Sequence, residues 1–265
     1  MKLIKLIILS IIQGICEVLP ISSSGHLILF KHLLNVNSYG LTLEIILHLG
    51  SLFAVIYYYR NELFKLIKNS INYLKGNKNN KKYFELLLNL FISTFITSII
   101  ALLFNSFIEN TLSNILFLPI FFLITSILIS FSNNKNKTKS IYEISIIDAI
   151  IIGLFQGIGI IPGISRSGIT YFSLSLRKVN SNDSFKYSFL LFIPITFASF
   201  LNKLLSFSSN EVLIFPIYYY IISILISGLT TYFALKLFSK LLSKNKYYYF
   251  SIYLIILSSL ILLFL

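Results

Sequence analysis

QGICEVLPISSSGH, residues 13–26, and QGIGIIPGISRSGI, residues 156–169, decide how this chain folds. Aligned without a gap, they share Gln13/Gln156, Gly14/Gly157, Ile15/Ile158, Ile21/Ile164, Ser22/Ser165, Ser24/Ser167 and Gly25/Gly168. Most of these identities are Gln, Gly or Ser, so common hydrophobicity does not explain them. Each copy sits inside a long apolar stretch, 3–35 or 144–185, and interrupts it with a polar centre rich in Ser, Gly and Pro. Lipid offers no hydrogen-bond partners, so irregular backbone inside a bilayer survives only where protein or a wet cavity surrounds it. Both stretches therefore read as re-entrant hairpins, each made of two half-helices that meet at a polar tip.

The rest of the chain is apolar in blocks. Hydrophobic residues make up 56% of the sequence and charged residues 12%, about half the charged share of a soluble domain. Six segments, 41–59, 84–104, 112–132, 187–203, 212–235 and 248–265, approach the roughly 20 apolar residues that a spanning helix needs. Three of them lie between the two hairpins, and an odd number of crossings turns the second hairpin upside down. The expected fold is an all-α multi-pass membrane protein. It is an inverted repeat of a re-entrant helical hairpin plus three transmembrane helices, with six full spans. Residues 1–265 form one integral membrane domain, with repeat 1 at 1–132 and repeat 2 at 144–265. In such folds the broken helices meet near the bilayer midplane and build the site there.

The net charge of +13 does not point to nucleic acid, because the lysines lie between apolar blocks and no soluble domain holds a basic groove. Loop 60–83 carries Arg60, Lys65, Lys68, Lys75, Lys78, Lys81 and Lys82. Loop 133–143 carries Lys135, Lys137 and Lys139, and loop 236–247 carries Lys236, Lys240, Lys244 and Lys246. Loops 105–111 and 204–211 carry neither Lys nor Arg. With six spans the basic loops share one side, which the positive-inside rule makes cytoplasmic. The first hairpin then enters from outside and the second from the cytoplasm. Cys16 is the only cysteine, which excludes an intrachain disulfide and a cysteine metal cluster. No small-x-small cleavage site precedes Pro20, so the N-terminal segment reads as mature protein.

The tips carry the chemistry. The first offers Glu17, Ser22, Ser23, Ser24 and His26; the second offers Ser165, Arg166 and Ser167. Glu44 and His48 lie one helical turn apart on one face of the first full span. Ionisable groups at that depth are costly and mostly functional. Arg166 is a permanent cation with a planar fork suited to phosphate. Serine-rich turns at half-helix N-termini present hydroxyls and free N–H groups to an anion. His26 can hold or deliver a proton, or attack phosphorus. Glu17 can act as a base or hold a divalent cation. The set suits phosphoryl transfer to water. Each residue also has a plainer reading: serines that cap helices, an Arg166–Glu17 structural ion pair, a packed core His26, a Glu44–His48 pair that steadies its helix. Asp148 reads as an N-terminal helix charge. An anion or lipid-phosphate transporter or flippase could use the same Arg and serine turns, since inverted repeats with broken helices serve transporters.

At these residues the sequence resembles the bacterial undecaprenyl-diphosphatases, also called bacitracin-resistance proteins. Their first motif, like (E/Q)GxTEFLPxSSxGH, is similar to 13–26, and their second, like PGxSRSGxT, to PGISRSGIT at 162–170. LHLGSLFAV at 47–55 and FKYSFLLFIP at 185–194 also look like the family. The resemblance covers essentially the whole chain. It implies hydrolysis of undecaprenyl diphosphate to undecaprenyl phosphate and inorganic phosphate. That reaction recycles the lipid carrier for peptidoglycan and other envelope polymers and confers bacitracin resistance. It further implies a bacterial plasma membrane location and a divalent cation, Mg2+ or Ca2+. Carried over, the family's catalytic glutamate falls on Glu17, also the metal ligand, its serine on Ser23, its histidine on His26 and its arginine on Arg166. Gln13, Ser22, Ser24, Gly25, Glu44, His48, Ser165, Ser167, Gly168 and Thr170 are the expected substrate-binding positions. Many members have glutamate where this chain has Gln13, which puts the role of that position in doubt. Cys16 and Val18 replace the usual Thr and Phe. The reading expects the site to open to the outer face and leaves a homodimer open.

Overall fold

The computed structural model describes residues 2–36, 40–132, 138–206, 215–243 and 247–264. Lys135, Lys137, Glu211, Lys244, Lys246 and the 204–211 loop beyond Ser206 lie outside the described residues. The described α-helices are α1 (Lys2–Val18), α2 (Ser23–Leu33), α3 (Gly40–Tyr58), α4 (Arg60–Leu74), α5 (Lys81–Phe107), α6 (Leu118–Phe131), α7 (Ile146–Ile158), α8 (Arg166–Leu176), α9 (Ser181–Ser206), α10 (Ile217–Ser243) and α11 (Tyr248–Phe264). Among the described residues the one β pairing is an isolated parallel bridge between Lys139 and Val179. The chain is an all-helical protein with segments of α5, α9 and α10 long and apolar enough to cross a membrane. Its surface is that of a membrane protein: Phe91, Leu103, Leu229 and Leu263 are exposed, whereas Ser51, Ser93, Ser227 and Thr231 are buried.

Both broken stretches fold as helix, tip, helix. In the first, α1 stops before Pro20, whose missing N–H and fixed φ discourage continuation. Ser22, at φ 69°, then caps α2 by accepting from Gly25 N at 3.3 Å. In the second, a Ser145–Asp148 capping box opens α7, as expected of an N-terminal helix charge. Ser165 caps α8 by accepting from Gly168 N at 3.1 Å. Asp148 does more than cap. Its fully buried carboxylate pairs with Lys139 and with Arg177, tying the segment before α7 to the end of α8.

Several boundaries differ from the sequence reading; α10, for one, runs on to Ser243 and takes in most of the loop expected at 236–247. Segment 60–83 is not a plain loop: most of it is α4, which turns Leu66 and Ser70 inward onto α5. Its lysines conceal that helical spacing. Segment 112–132 is not one helix. A π-helical turn at Ile108–Leu112 and a 3-10 turn at Ile115–Phe117, capped by Asn114, precede the 14-residue α6. Pro119 at the start of α6 is where a proline costs nothing. Finally, α9 begins at Ser181 rather than 187, because the Asn180 side chain accepts from Asp183 N at 3.0 Å and caps it.

The packing crosses the two halves of the chain. Helix α1 lies along α10, and α7 lies along α5. Helices α3 and α9 touch, α3 packs on α10, and α6 packs on α11. Small polar side chains let the backbones approach, as is usual between helices in lipid. Ser51 Oγ lies 2.9 Å from Thr231 Oγ1 across α3 and α10. Ser93 and Thr97 donate to the Ala149 and Gly153 carbonyls at 2.8 and 3.0 Å across α5 and α7.

Candidate active site

The two tips touch. Ser22 Oγ, already the cap of α2, also accepts from Gly163 N at 3.1 Å. Gly163 holds φ +94°, and a Cβ there would meet Phe121 Cβ of α6 at 2.7 Å; a Cβ on Gly25 would sit 2.7 Å from the Phe122 ring and 2.9 Å from Gly163 Cα. Ser167 Oγ reaches the Leu19 carbonyl at 3.3 Å. Thr125 of α6 braces the second tip by donating to Gly163 O at 2.9 Å and accepting from Ser165 N at 3.1 Å. The N-termini of α2 and α8 thus open on the same space, a cavity of about 330 Å³.

Nine of the sequence-predicted residues line that cavity: Glu17, Ser22, Ser23, Ser24, Glu44, His48, Ser165, Arg166 and Ser167. Glu17 is the hub. Its Oε1 pairs with Arg166 Nη2. Its Oε2 accepts from Ser23 Oγ at 2.8 Å and from Gln13 Nε2 at 2.7 Å, with His48 Nε2 at 3.5 Å. The Arg166–Glu17 pair of the plainer reading is therefore present, but on the cavity wall. Arg166 is held from α9, with its guanidinium 4.4 Å over the Phe192 ring and Nη1 donating to Thr196 Oγ1 at 3.3 Å.

Other expectations need correction. His26 does not line the cavity. It is 2% exposed, with Nδ1 2.8 Å from the Ser22 carbonyl and Nε2 2.8 Å from Tyr253 Oη. Both ring nitrogens have a partner, the geometry of the packed histidine in the plainer reading. Glu44 and His48 do not pair through their side chains. Glu44 binds Lys31 at 2.5 Å, while His48 Nδ1 lies 2.9 Å from the Glu44 carbonyl and 3.1 Å from Gln13 Nε2. Gln13, Gly25, Gly168 and Thr170 stand behind the wall. Gln13 supports Glu17, Gly25 and Gly168 shape the caps, and Thr170 donates to Gln156 Oε1 at 3.4 Å.

Sequence reasoning missed Phe192, Thr196 and Gln156. The first two lie in or beside the FKYSFLLFIP stretch, where Pro194 inside a span is the signal that could have found them. Gln156 is the repeat mate of Gln13 and lines the cavity.

Among the described residues no group of three or more His, Cys, Asp and Glu converges as a ready metal cage. Mg2+, however, is commonly held by one or two carboxylates plus substrate phosphates. Glu17 supplies one carboxylate, and the buried Oε1 of Gln13 beside it has no hydrogen-bond partner. The Glu17 carboxylate on the cavity wall fits a divalent cation completed by phosphate oxygens.

A hydroxyl that donates to a carboxylate, itself fixed by a third group, is the arrangement of an activated nucleophile. Beside it stand a guanidinium and two helix N-termini, which favour negative charge. Comparison with known proteins points the same way. The family model described as "Bacitracin resistance protein BacA" matches residues 6–260. "Undecaprenyl-diphosphatase 2" of Bacillus thuringiensis (strain Al Hakam) is 35% identical over 99% of this chain and 98% of its own length. "Undecaprenyl-diphosphatase" of Thermosipho africanus is 38% identical over 95% and 96%, respectively. The protein of that name from Borrelia hermsii is 36% identical over 98% of each.

Proposed function

The chain belongs to the bacitracin resistance protein BacA family, and on that premise we propose how its site performs the reaction. The protein is an undecaprenyl-diphosphatase: it hydrolyses undecaprenyl diphosphate to undecaprenyl phosphate and inorganic phosphate, recycles the lipid carrier and confers bacitracin resistance. The observation that carries the mechanism is the Ser23 hydroxyl donating to Glu17 at 2.8 Å beside Arg166.

Arg166 and the N–H groups of the two serine turns hold the diphosphate, with Ser24, Ser165 and Ser167 adding hydroxyls. Ser23 Oγ attacks the terminal phosphorus and its proton passes to Glu17. The bond from that phosphorus to the bridging oxygen breaks, and undecaprenyl phosphate leaves with the electron pair. Glu17 hands that proton to the departing undecaprenyl phosphate, then takes one from water as the water attacks the phosphoserine, and returns it to Ser23 Oγ as the phosphorus–Oγ bond breaks and phosphate leaves. Charge stabilisation by preorganised donors is the main catalytic term in such a site. His26 is a positioning residue here, since it grips the Ser22 carbonyl and so sets the turn that carries Ser23. Mg2+ or Ca2+ held by Glu17 would neutralise phosphate charge.

The architecture that accompanies this reading is one integral domain of six spans in an inverted repeat, seated in the plasma membrane. The crossed packing of α1 on α10 and α7 on α5 supports it. The cavity opens toward the outer face. Ile108 and Ser113, from the turns joining α5 to α6, line it, whereas the basic α4 lies at the other end of α3.

Purified protein in detergent, given a long-chain isoprenyl diphosphate with Mg2+, Ca2+ or chelator, tests the assignment. Release of phosphate by the parent and its loss in Ser23→Ala and Arg166→Ala are expected, with an acid-stable phosphoserine trapped at early times. Near-parental turnover in both variants, or an acid-labile phosphohistidine, would overturn it.

A further inference from the structure

Helix α4 is not needed by the cavity, yet it presents an unusual surface. One face, with Leu66 and Ser70, is buried against α5. Next to it runs an uncovered apolar stripe: Phe64 is 68% exposed, Ile67 51%, Ile71 45% and Leu74 69%. Their spacing of three, four and three residues keeps them on one side of the helix. At 100° per residue, Lys68 and Lys75 fall within about 40° of Phe64, on the edge of the stripe away from the buried face. Both lysines are exposed, and Lys68 Nζ lies 5.9 Å from the Phe64 ring, so its stem already covers part of the stripe. Arg60 and Lys65 add two more positive charges. Glu62 is the one acid on the helix, and it faces Lys186 at 3.8 Å.

An apolar stripe edged by lysines, on a helix whose remaining surface is polar, suits the boundary between acyl chains and headgroups. Four cations against one already engaged acid set the sign of the partner. We infer that α4 lies in the headgroup layer of the membrane, with Phe64, Ile67, Ile71 and Leu74 among the acyl chains and Lys68 and Lys75 gathering anionic phospholipid around it. The occupant of the stripe is therefore the lipid leaflet itself, enriched in acidic headgroups.

The chain contains no tryptophan, so Phe64→Trp places a single fluorescent reporter on the stripe. The full protein carrying this change would be reconstituted in two bilayers of identical composition, mixing one anionic and one zwitterionic phospholipid. They would differ only in which lipid bears brominated acyl chains. Quenching by the brominated anionic lipid should exceed that by the zwitterionic one by on the order of twofold. Adding Lys68→Gln and Lys75→Gln should level the two. Neither substitution touches the cavity, so phosphate release checks that each variant is folded. Equal quenching in the Phe64→Trp protein would overturn the selectivity. Fluorescence insensitive to both brominated lipids would put the stripe in water or against a protein and overturn the inference entirely.

Discussion

Arg166 makes three different uses of one guanidinium: a charge for Glu17, a hydrogen bond for Thr196 and a flat face for Phe192. Lysine would keep only the charge. Arg166→Lys should therefore insert and fold normally but lose about 10- to 100-fold in kcat/KM, measured as phosphate release. Parental kinetics would show that the fork is dispensable. Position 26 separates packing from chemistry. Tyr253→Phe removes one partner of His26 Nε2 and should cost about 1 kcal/mol in detergent thermal unfolding, with turnover near that of the parent. A large loss of turnover without a change in stability would return His26 to the reaction. The residue scale is also where the sequence is most and least legible. Glu17, Ser23 and Arg166 stand out because a polar cluster interrupts an apolar block. Phe192 and Thr196 do not, because their part is to hold an arginine about 30 positions away in the chain. Lys31 reads in sequence simply as a charge on the outer side, and nothing local announces Glu44 as its partner.

At the level of elements, the hairpins are legible and the connections are not. Pro20 and Gly163 mark the tips in any reading of the chain, whereas α4 is concealed by its own lysines. The second tip depends on an element outside its hairpin: Thr125 of α6 satisfies both Gly163 O and Ser165 N. Thr125→Val keeps the shape and deletes both bonds. It should cost about 1–3 kcal/mol for groups left buried and unpaired, and it should raise KM more than it lowers kcat, because the anion-binding turn loses its brace. Differential scanning fluorimetry and steady-state kinetics on the same preparation read both effects. A variant with parental stability and KM would mean that Ser165 and Gly163 hold their places without α6.

For the whole molecule, charge asymmetry and cavity position make one joint statement about direction. Ser113 lines the cavity, and Lys68 lies on the basic side. In a Cys16→Ser background, Ser113→Cys should react with a membrane-impermeant thiol reagent applied to intact cells. Lys68→Cys should react only after lysis. The opposite pattern would invert the molecule and put the site on the cytoplasmic face. The repeat alignment makes the two halves legible in sequence. The exchange between them is not, since nothing in the periodicity of α1 or α7 says that each packs on a long helix from the other half.

Each tip finishes the other: the serine that caps α2 takes its second hydrogen bond from Gly163, and Glu17 takes its cation from Arg166. Chain synthesis runs in one direction, so these partners are made far apart in time. A ribosome that has made α1 to α6 has produced the serine and the carboxylate, but not the arginine that sets them. The half-made chain also lacks Phe192 and Thr196, which hold that arginine, so the site is complete only once α8 and α9 have both been made.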